Sequence, residues 1–276
     1  MQKVTIIGAS GFVGSNLTKF LLSLGYDVYS PSRDELMELN GDLGVVIYSV
    51  GYGVCDSLIN KAKVIDANIT QFVSLLSRCT FSRLIYFSST RVYLGLNDSA
   101  SHNSFKVEIE DCRKLFNLSK LVAEELCLSL DNAIIVRPSN IYGTALKSPL
   151  FLPSIVRNAI KKSHIDMYVT PSYEKDYISV EDVCMLIEKL ISTKKLKNKI
   201  YNLASGENTT SKSISDVIEA ETGAEVLWHD VKNEDYFPVT DIYNIVSEFD
   251  FKPKSVLADL KKMIIDFKFA HKEGMF

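Results

Sequence analysis

The run Val4-Thr-Ile-Ile-Gly-Ala-Ser-Gly-Phe-Val-Gly14 decides the fold. A short β-favouring stretch ends at Gly8, and glycine returns at positions 11 and 14. From Phe12 the apolar period changes: Val13, Leu17, Phe20, Leu21 and Leu24 recur at helical spacing, and Gly25 stops the pattern. The reading is strand, glycine turn, helix. Glycine lets the backbone turn tightly and approach a ligand closely, while the start of the helix offers unpaired N–H groups and a partial positive charge. That combination suits a pyrophosphate and predicts dinucleotide binding over a bare structural turn.

Working outward, short apolar runs and helical patterns alternate. Residues 27–30, 44–50, 83–88 and 133–137 read as strands, and residues 67–77 and 115–130 as helices. The run at 44–50 is continuously apolar, as expected of a strand buried on both faces. Strand–helix alternation with right-handed crossovers predicts an α/β fold, a doubly wound parallel sheet covered on both sides. After Tyr142-Gly143 the pattern breaks up, punctuated by Pro149, Pro153, Pro171, Pro238 and Pro253. This predicts a dinucleotide-binding domain over residues 1–143. A smaller lobe follows over 144–276, with 177–190 packing back on the sheet. The stretch 261–268 reads as a packed terminal helix.

At 276 residues the chain is long enough for one to two domains. Apolar residues make up 46% and charged residues 24%, which excludes a disordered chain. Thirty-one Lys and Arg against 34 Asp and Glu give a net charge of −3, which speaks against a nucleic-acid or membrane-surface partner. No apolar run spans a bilayer, and the N-terminal residues lack the zones of a signal peptide, so a cytoplasmic location is expected. The five cysteines (55, 79, 112, 127 and 184) are odd in number and form no Cys-x-x-Cys pair, so reduced thiols are expected. His102, His164, His229 and His271 are scattered, and no metal site is expected.

The glycine spacing, Gly-x-x-Gly-x-x-Gly, resembles that of the extended short-chain dehydrogenase/reductase family of nucleotide-sugar epimerases, dehydratases and reductases. Further stretches strengthen the resemblance in order along the chain. Phe87-Ser-Ser-Thr-Arg-Val-Tyr93 is similar to that family's S-S-x-x-V-Y, and Arg137-Pro-Ser-Asn-Ile-Tyr-Gly143 to its R-P-x-N-x-Y-G. Lys175-Asp-Tyr-Ile-Ser-Val-Glu-Asp182 is similar to R-D-[FY]-I-x-V-x-D, and Tyr201-Asn-Leu-Ala-Ser-Gly206 to Y-N-[LV]-x-x-G. The resemblance implies a Rossmann sheet with a substrate lobe. It places the cofactor on Gly8, Ser10, Gly11, Phe12, Val13, Gly14, Gly51, Asn68, Lys120, Pro138, Ser139 and Asn140. A carboxylate after the second strand would take the ribose 2′-OH of NAD, whereas an arginine there pairs with the 2′-phosphate of NADP. Ser32 and Arg33 fall at that place. NADP(H) is favoured, and NAD(H), with Asp34 on the ribose, is the alternative.

The resemblance also implies a catalytic trio. Ser89 matches the Ser/Thr that bonds the substrate carbonyl, with Thr90 the fallback one register on. Lys120, in Ser119-Lys-Leu-Val-Ala-Glu124, matches the lysine that binds the ribose and lowers the pKa of a tyrosine. That tyrosine, four residues before Lys120, is here Phe116. None of the 13 tyrosines is followed four residues later by Lys, so the departure is real. Losing a positioned acid or base costs about 10²–10⁴ in rate. Tyr93 is one candidate proton donor, with a structural or substrate-contact role as its alternative. Tyr93, Asn140, Pro153, Val156 and Lys175 are expected at the substrate. Lys175 stands where the family has an arginine on a pyrophosphate, its alternative being a surface lysine. The expectation is an NAD(P)H-dependent reductase of a nucleotide-linked 4-keto-6-deoxy sugar in surface polysaccharide biosynthesis. A nucleotide-sugar epimerase with retained cofactor and an inactive dinucleotide-binding relative are the alternatives. The family also suggests a homodimer through residues 68–76 and 116–130.

Overall fold

The computed structural model describes residues 1–100, 105–230 and 235–276, so His102 lies outside the described residues. The first half runs β1 (Lys3–Ile7), α1 (Phe12–Ser23), β2 (Asp27–Tyr29), α2 (Arg33–Leu36), β3 (Gly41–Asp42), β4 (Val45–Tyr48), α3 (Leu58–Ile65), α4 (Gln71–Arg78), β5 (Cys79–Thr80), β6 (Arg83–Phe87), α5 (Lys114–Leu128) and β7 (Ala133–Pro138). The second half runs β8 (Asn140–Tyr142), α6 (Phe151–Lys162), β9 (His164–Met167), β10 (Glu174–Ser179), α7 (Val180–Ser192), β11 (Ile200–Leu203), β12 (Asn208–Thr210), α8 (Ser211–Thr222), β13 (Glu225–Trp228), α9 (Tyr243–Phe249) and α10 (Val256–Lys272).

Six strands form the central sheet in the order β11-β7-β6-β4-β1-β2, with every pair parallel. Alternate residues of each strand face opposite sides, and both sides are apolar. Ile6, Ile47, Ile85 and Val136 meet Leu17 and Leu21 of α1 and Val183 and Ile187 of α7. Ile7, Val46, Tyr48, Leu84 and Tyr86 meet Phe72 and Leu75 of α4 and Ala123 and Cys127 of α5. The doubly wound expectation holds. The chain leaves β1 first for β2 and then crosses to β4 on the other side. This reversal opens a crevice beyond the carboxyl ends of β1 and β4, the place where such sheets bind ligands.

The helix expected over 67–77 begins much earlier, at Leu58, and passes through a wide π-turn at Asp66–Thr70. The apolar period could not show this, because α3 buries only Val64 and leaves Leu58 and Ile59 in solvent. Ser57 starts it instead, its Oγ accepting from Asn60 N at 3.2 Å.

A second core joins α6, α8 and α10, with Val156, Ile214, Ile218, Leu260, Ile264 and Phe267 buried together. The segment expected at 261–268 is thus the middle of the packed helix α10. The chain beyond Gly143 serves both bodies: α7 covers one side of the central sheet, and β11 supplies its sixth strand.

Candidate active site

A cavity of about 640 Å³ lies between the carboxyl ends of the sheet and the second body. Its first wall is the glycine turn. Gly8 has φ +94°, a conformation that favours glycine, and Gly11 N donates to Gly8 O at 3.0 Å. A Cβ on Gly14 would stand 2.2 Å from Gly8 O, so the start of α1 presses against the turn. Gly11 caps α1 without a side-chain bond, leaving the first-turn N–H groups to a ligand, with Phe12, Val13 and Gly14 in the lining. The residues fit a pyrophosphate. Ser10 is exposed and stands outside the lining.

The second wall is the loop after β4. Gly51 lines the cavity, and a Cβ there would meet Lys120 Nζ at 3.3 Å. Asn68, carried inward by the π-turn, is fully buried. Its Oδ1 accepts from Tyr52 N (3.1 Å), and its Nδ2 donates to Tyr52 O (3.1 Å) and Ser119 Oγ (2.8 Å). It braces this loop rather than lining the cavity.

Lys120 is 3% exposed, and Nζ donates to Phe87 O (2.8 Å), Tyr86 Oη (3.3 Å) and Val50 O (3.5 Å). Burial pulls its pKa down to about 8, with the Glu124 charge opposing. Ser89 follows β6 and opens a short 3₁₀ turn over Thr90–Tyr93. Its Oγ accepts from Arg91 N at 3.1 Å, so its proton is free for a ligand, and both Ser89 and Thr90 line the cavity. Phe116 lies in the first turn of α5, its ring flanked by the Arg113 guanidinium at 5.0 Å and the Lys120 ammonium at 5.9 Å. Tyr93 also lines the cavity, yet its hydroxyl is engaged. It donates to Asn202 Oδ1 (2.8 Å) and accepts from Arg137 Nη1 (2.8 Å). Arg137 in turn grips Glu124 with two bonds, at 2.9 and 2.5 Å. Tyr93 therefore belongs to a buried polar network joining β7, α5 and β11.

Of the three residues expected after β7, Ser139 and Asn140 line the cavity, and Pro138 does not. Asn140 Nδ2 donates to Asp176 O at 2.8 Å. The Asp176 carboxylate accepts from Ser205 N (2.9 Å), Gly206 N (2.7 Å) and Glu207 N (3.2 Å), which fixes the turn after β11. Lys175 lies over the rings of Tyr173 (5.0 Å) and Phe237 (5.2 Å), and burial pulls its pKa down to about 8. Pro153 lines the cavity, whereas the expected contact Val156 does not. It is fully buried in the core between α6 and α10, because one helical turn carries it past the cavity edge.

Ser32 and Arg33 also stand outside the lining. Ser32 caps α2, with Oγ accepting from Glu35 N (3.2 Å) and its own N donating to Glu35 Oε2 (2.7 Å). Arg33 is exposed on the first turn of α2.

Several lining residues escaped the sequence reading, among them Arg91, Arg113, Tyr173 and Phe237. Arg91 pairs with Asp111 and Asp235, both at 2.7 Å. Asp235 is 144 residues away in sequence, so no local pattern announces the pair. Arg113 had a readable signal, since it lies three residues before Phe116 and so on the same helical face.

Fold and site together define an α/β enzyme of the dinucleotide-binding kind, with its cavity at the carboxyl ends of a parallel sheet. The model of the NAD dependent epimerase/dehydratase family matches residues 4–204, and the chain belongs to that family. This bears out the resemblance read from the motifs. Among curated proteins, Protein CapI of Staphylococcus aureus is 23% identical over 96% of this chain and 98% of its own. The spore coat polysaccharide biosynthesis protein SpsK of Bacillus subtilis is 23% identical over 86% and 85%. The fold is similar to a Tyr-to-Phe variant of UDP-glucuronic acid 4-epimerase from Bacillus cereus, solved with a fluorinated UDP sugar and NAD. There the TM-score is 0.83 and the identity 17%, over 99% of this chain and 100% of that one. It is also similar to RMD from Pseudomonas aeruginosa complexed with NADPH, with TM-score 0.77 and identity 21%, over 98% and 99%.

Proposed function

We propose that the protein reduces a nucleotide-linked keto sugar, of the 4-keto-6-deoxy kind used in surface polysaccharides, with NADP(H) ahead of NAD(H). One observation carries the reading: Ser89 and the glycine turn line one cavity, Lys120 Nζ stands just behind Gly51 in its wall, and position 116 holds no phenol. When bound, the reduced nicotinamide supplies a hydride. The glycine turn and the start of α1 hold its pyrophosphate, and Lys120 grips the ribose. Arg33, free on α2, reaches for the 2′-phosphate. Ser89 donates to the carbonyl oxygen. Lys175, between Tyr173 and Phe237, offers a charge and two ring faces to the nucleoside diphosphate, with Pro153 beside it.

A one-way reduction tolerates Phe116 best. An epimerase must return what it removes at every turnover, so it needs a reversible base more. Loss of reduced-nicotinamide absorbance with one of a panel of 4-keto-6-deoxy nucleotide sugars establishes the reaction and names the nucleotide. Binding of NADPH with no loss for any member overturns it. The second reading is then a nucleotide-sugar epimerase with retained cofactor, supported by the likeness to the Bacillus cereus epimerase and tested by epimer formation without net oxidation.

The relatives' names support a place in polysaccharide or glycan biosynthesis. Exposed Ile65, Val73, Leu118 and Val122 on α3, α4 and α5 support a homodimer through these helices. Among the described residues no helix is long and apolar enough to cross a membrane.

A further inference from the structure

Arg113 is a half-buried cation at the edge of Phe116 with donors to spare. Its Nε donates to Gly53 O at 3.1 Å. Among the described residues no carboxylate comes within ion-pairing distance of its guanidinium, and its two terminal nitrogens make no bond. Asp111 and Asp235 lie nearby, but both are held by Arg91, whose own charge repels Arg113. A guanidinium stays protonated in proteins, so a lasting charge lines the cavity with no counter-charge paired to it among the described residues.

The position says what anion it meets. A Cβ on Gly53 would stand 2.8 Å from Arg113 Nη2, 3.4 Å from Phe116 Cδ2 and 3.5 Å from Cε2. The guanidinium and the ring edge therefore share one small space. The pyrophosphate of the dinucleotide has the start of α1, and the nucleoside diphosphate has Lys175. What remains at Phe116 is the oxygen that a phenol would otherwise have protonated.

We propose that Arg113 is an oxyanion donor that stands in for the absent phenol, pairing with the negative charge that develops on the substrate carbonyl oxygen beside Ser89. The inference rests on the reductase reading. The carbonyl carbon gains a hydride with its electron pair from the reduced dinucleotide, and the π pair moves onto oxygen. The alkoxide is held by Arg113 and Ser89 and then takes a proton from water, and the hydroxide left is neutralised by the medium. Arg113 gives up no proton at any stage. Donors aimed at developing charge are worth about 10²–10³ in kcat.

Two measurements test this, both on variants first shown to bind NADPH. Arg113→Met is expected to lower kcat by about 10²-fold with little change in KM for the sugar nucleotide, and Arg113→Lys by less. Adding Phe116→Tyr to Arg113→Met is expected to restore turnover. A variant that raises KM alone marks Arg113 as a ground-state anchor and overturns the proposal, as does unchanged turnover. The second readout needs no activity. Phenolate absorbance, taken as a difference from the parent with Phe116, titrates the introduced phenol in Phe116→Tyr and in Phe116→Tyr/Arg113→Met. Removing Arg113 is expected to raise that phenol's pKa by about one unit or more. An unchanged titration overturns the placement of the charge. If the unaltered protein binds NADPH but oxidises it with none of the sugar nucleotides, while the phenol still responds to Arg113, the reductase reading falls and the charge placement stands.

Discussion

Lys120 is a charge that the fold holds at a cost, and both of its pH signatures follow from that. Its pKa lies at about 8, below the ordinary lysine value of 10.5. Below pH 8 it is charged in both the folded and the unfolded chain, and the full burial cost, about 3 kcal/mol, is present. Between about pH 8 and 10.5 the unfolded chain holds a proton that the folded one lacks, so this group's contribution to stability rises with pH. Lys120→Met is therefore expected to stabilise the protein against denaturant at pH 7 while abolishing turnover, with the gain shrinking as pH rises past 8. In the unaltered protein, affinity for NADPH is expected to fall as pH rises through about 8. Ser89→Ala is expected to lower kcat by about 10²-fold or more without loss of NADPH binding, and a near-normal rate would remove Ser89 from the chemistry. Ser89, Lys120 and the substitution at 116 were legible because they sit at fixed spacings inside motifs. Arg91 and Phe237 were not, because their roles depend on Asp235 and Lys175, which only tertiary packing brings near.

Among the elements, strands and glycine turn were legible, since continuous apolar runs bounded by glycine have few other readings. Helix α3 was not, because a helix without an apolar stripe leaves no period to find. Its π-turn was equally invisible, though it aims Asn68 at the loop after β4. The polar seam between α5 and β7 yields a prediction at this scale. Arg137 is 1% exposed and Glu124 3%, paired through two bonds. Breaking such a buried pair leaves one charge uncompensated and costs about 3–5 kcal/mol. Glu124→Ala is expected to lose that much in chemical denaturation. Replacing both members with apolar residues of similar volume should cost far less, although Tyr93 then loses its Arg137 donor. A loss below about 1 kcal/mol for Glu124→Ala would show that water reaches the seam.

At the level of the whole molecule, the sequence pattern changes after Gly143, yet α7 and β11 carry the chain back to the central sheet, a return that the pattern showed only in part. The exposed apolar residues of α4 and α5 make the proposed homodimer testable. Leu118→Glu with Val122→Glu is expected to yield monomers by sedimentation with the fold intact, and an unchanged mass would place any interface elsewhere. The return of β11 to the sheet has a consequence for how the protein is made. During synthesis the edge of β7 stays bare until residues 200–203 emerge, some 60 residues after β7 itself is complete. An open parallel edge beside Ile134, Ile135 and Val136 invites pairing with another nascent chain. A fragment ending at 143 is thus an aggregation hazard rather than a portable nucleotide-binding module. The dangerous interval for this protein is the time its ribosome spends between those two strands.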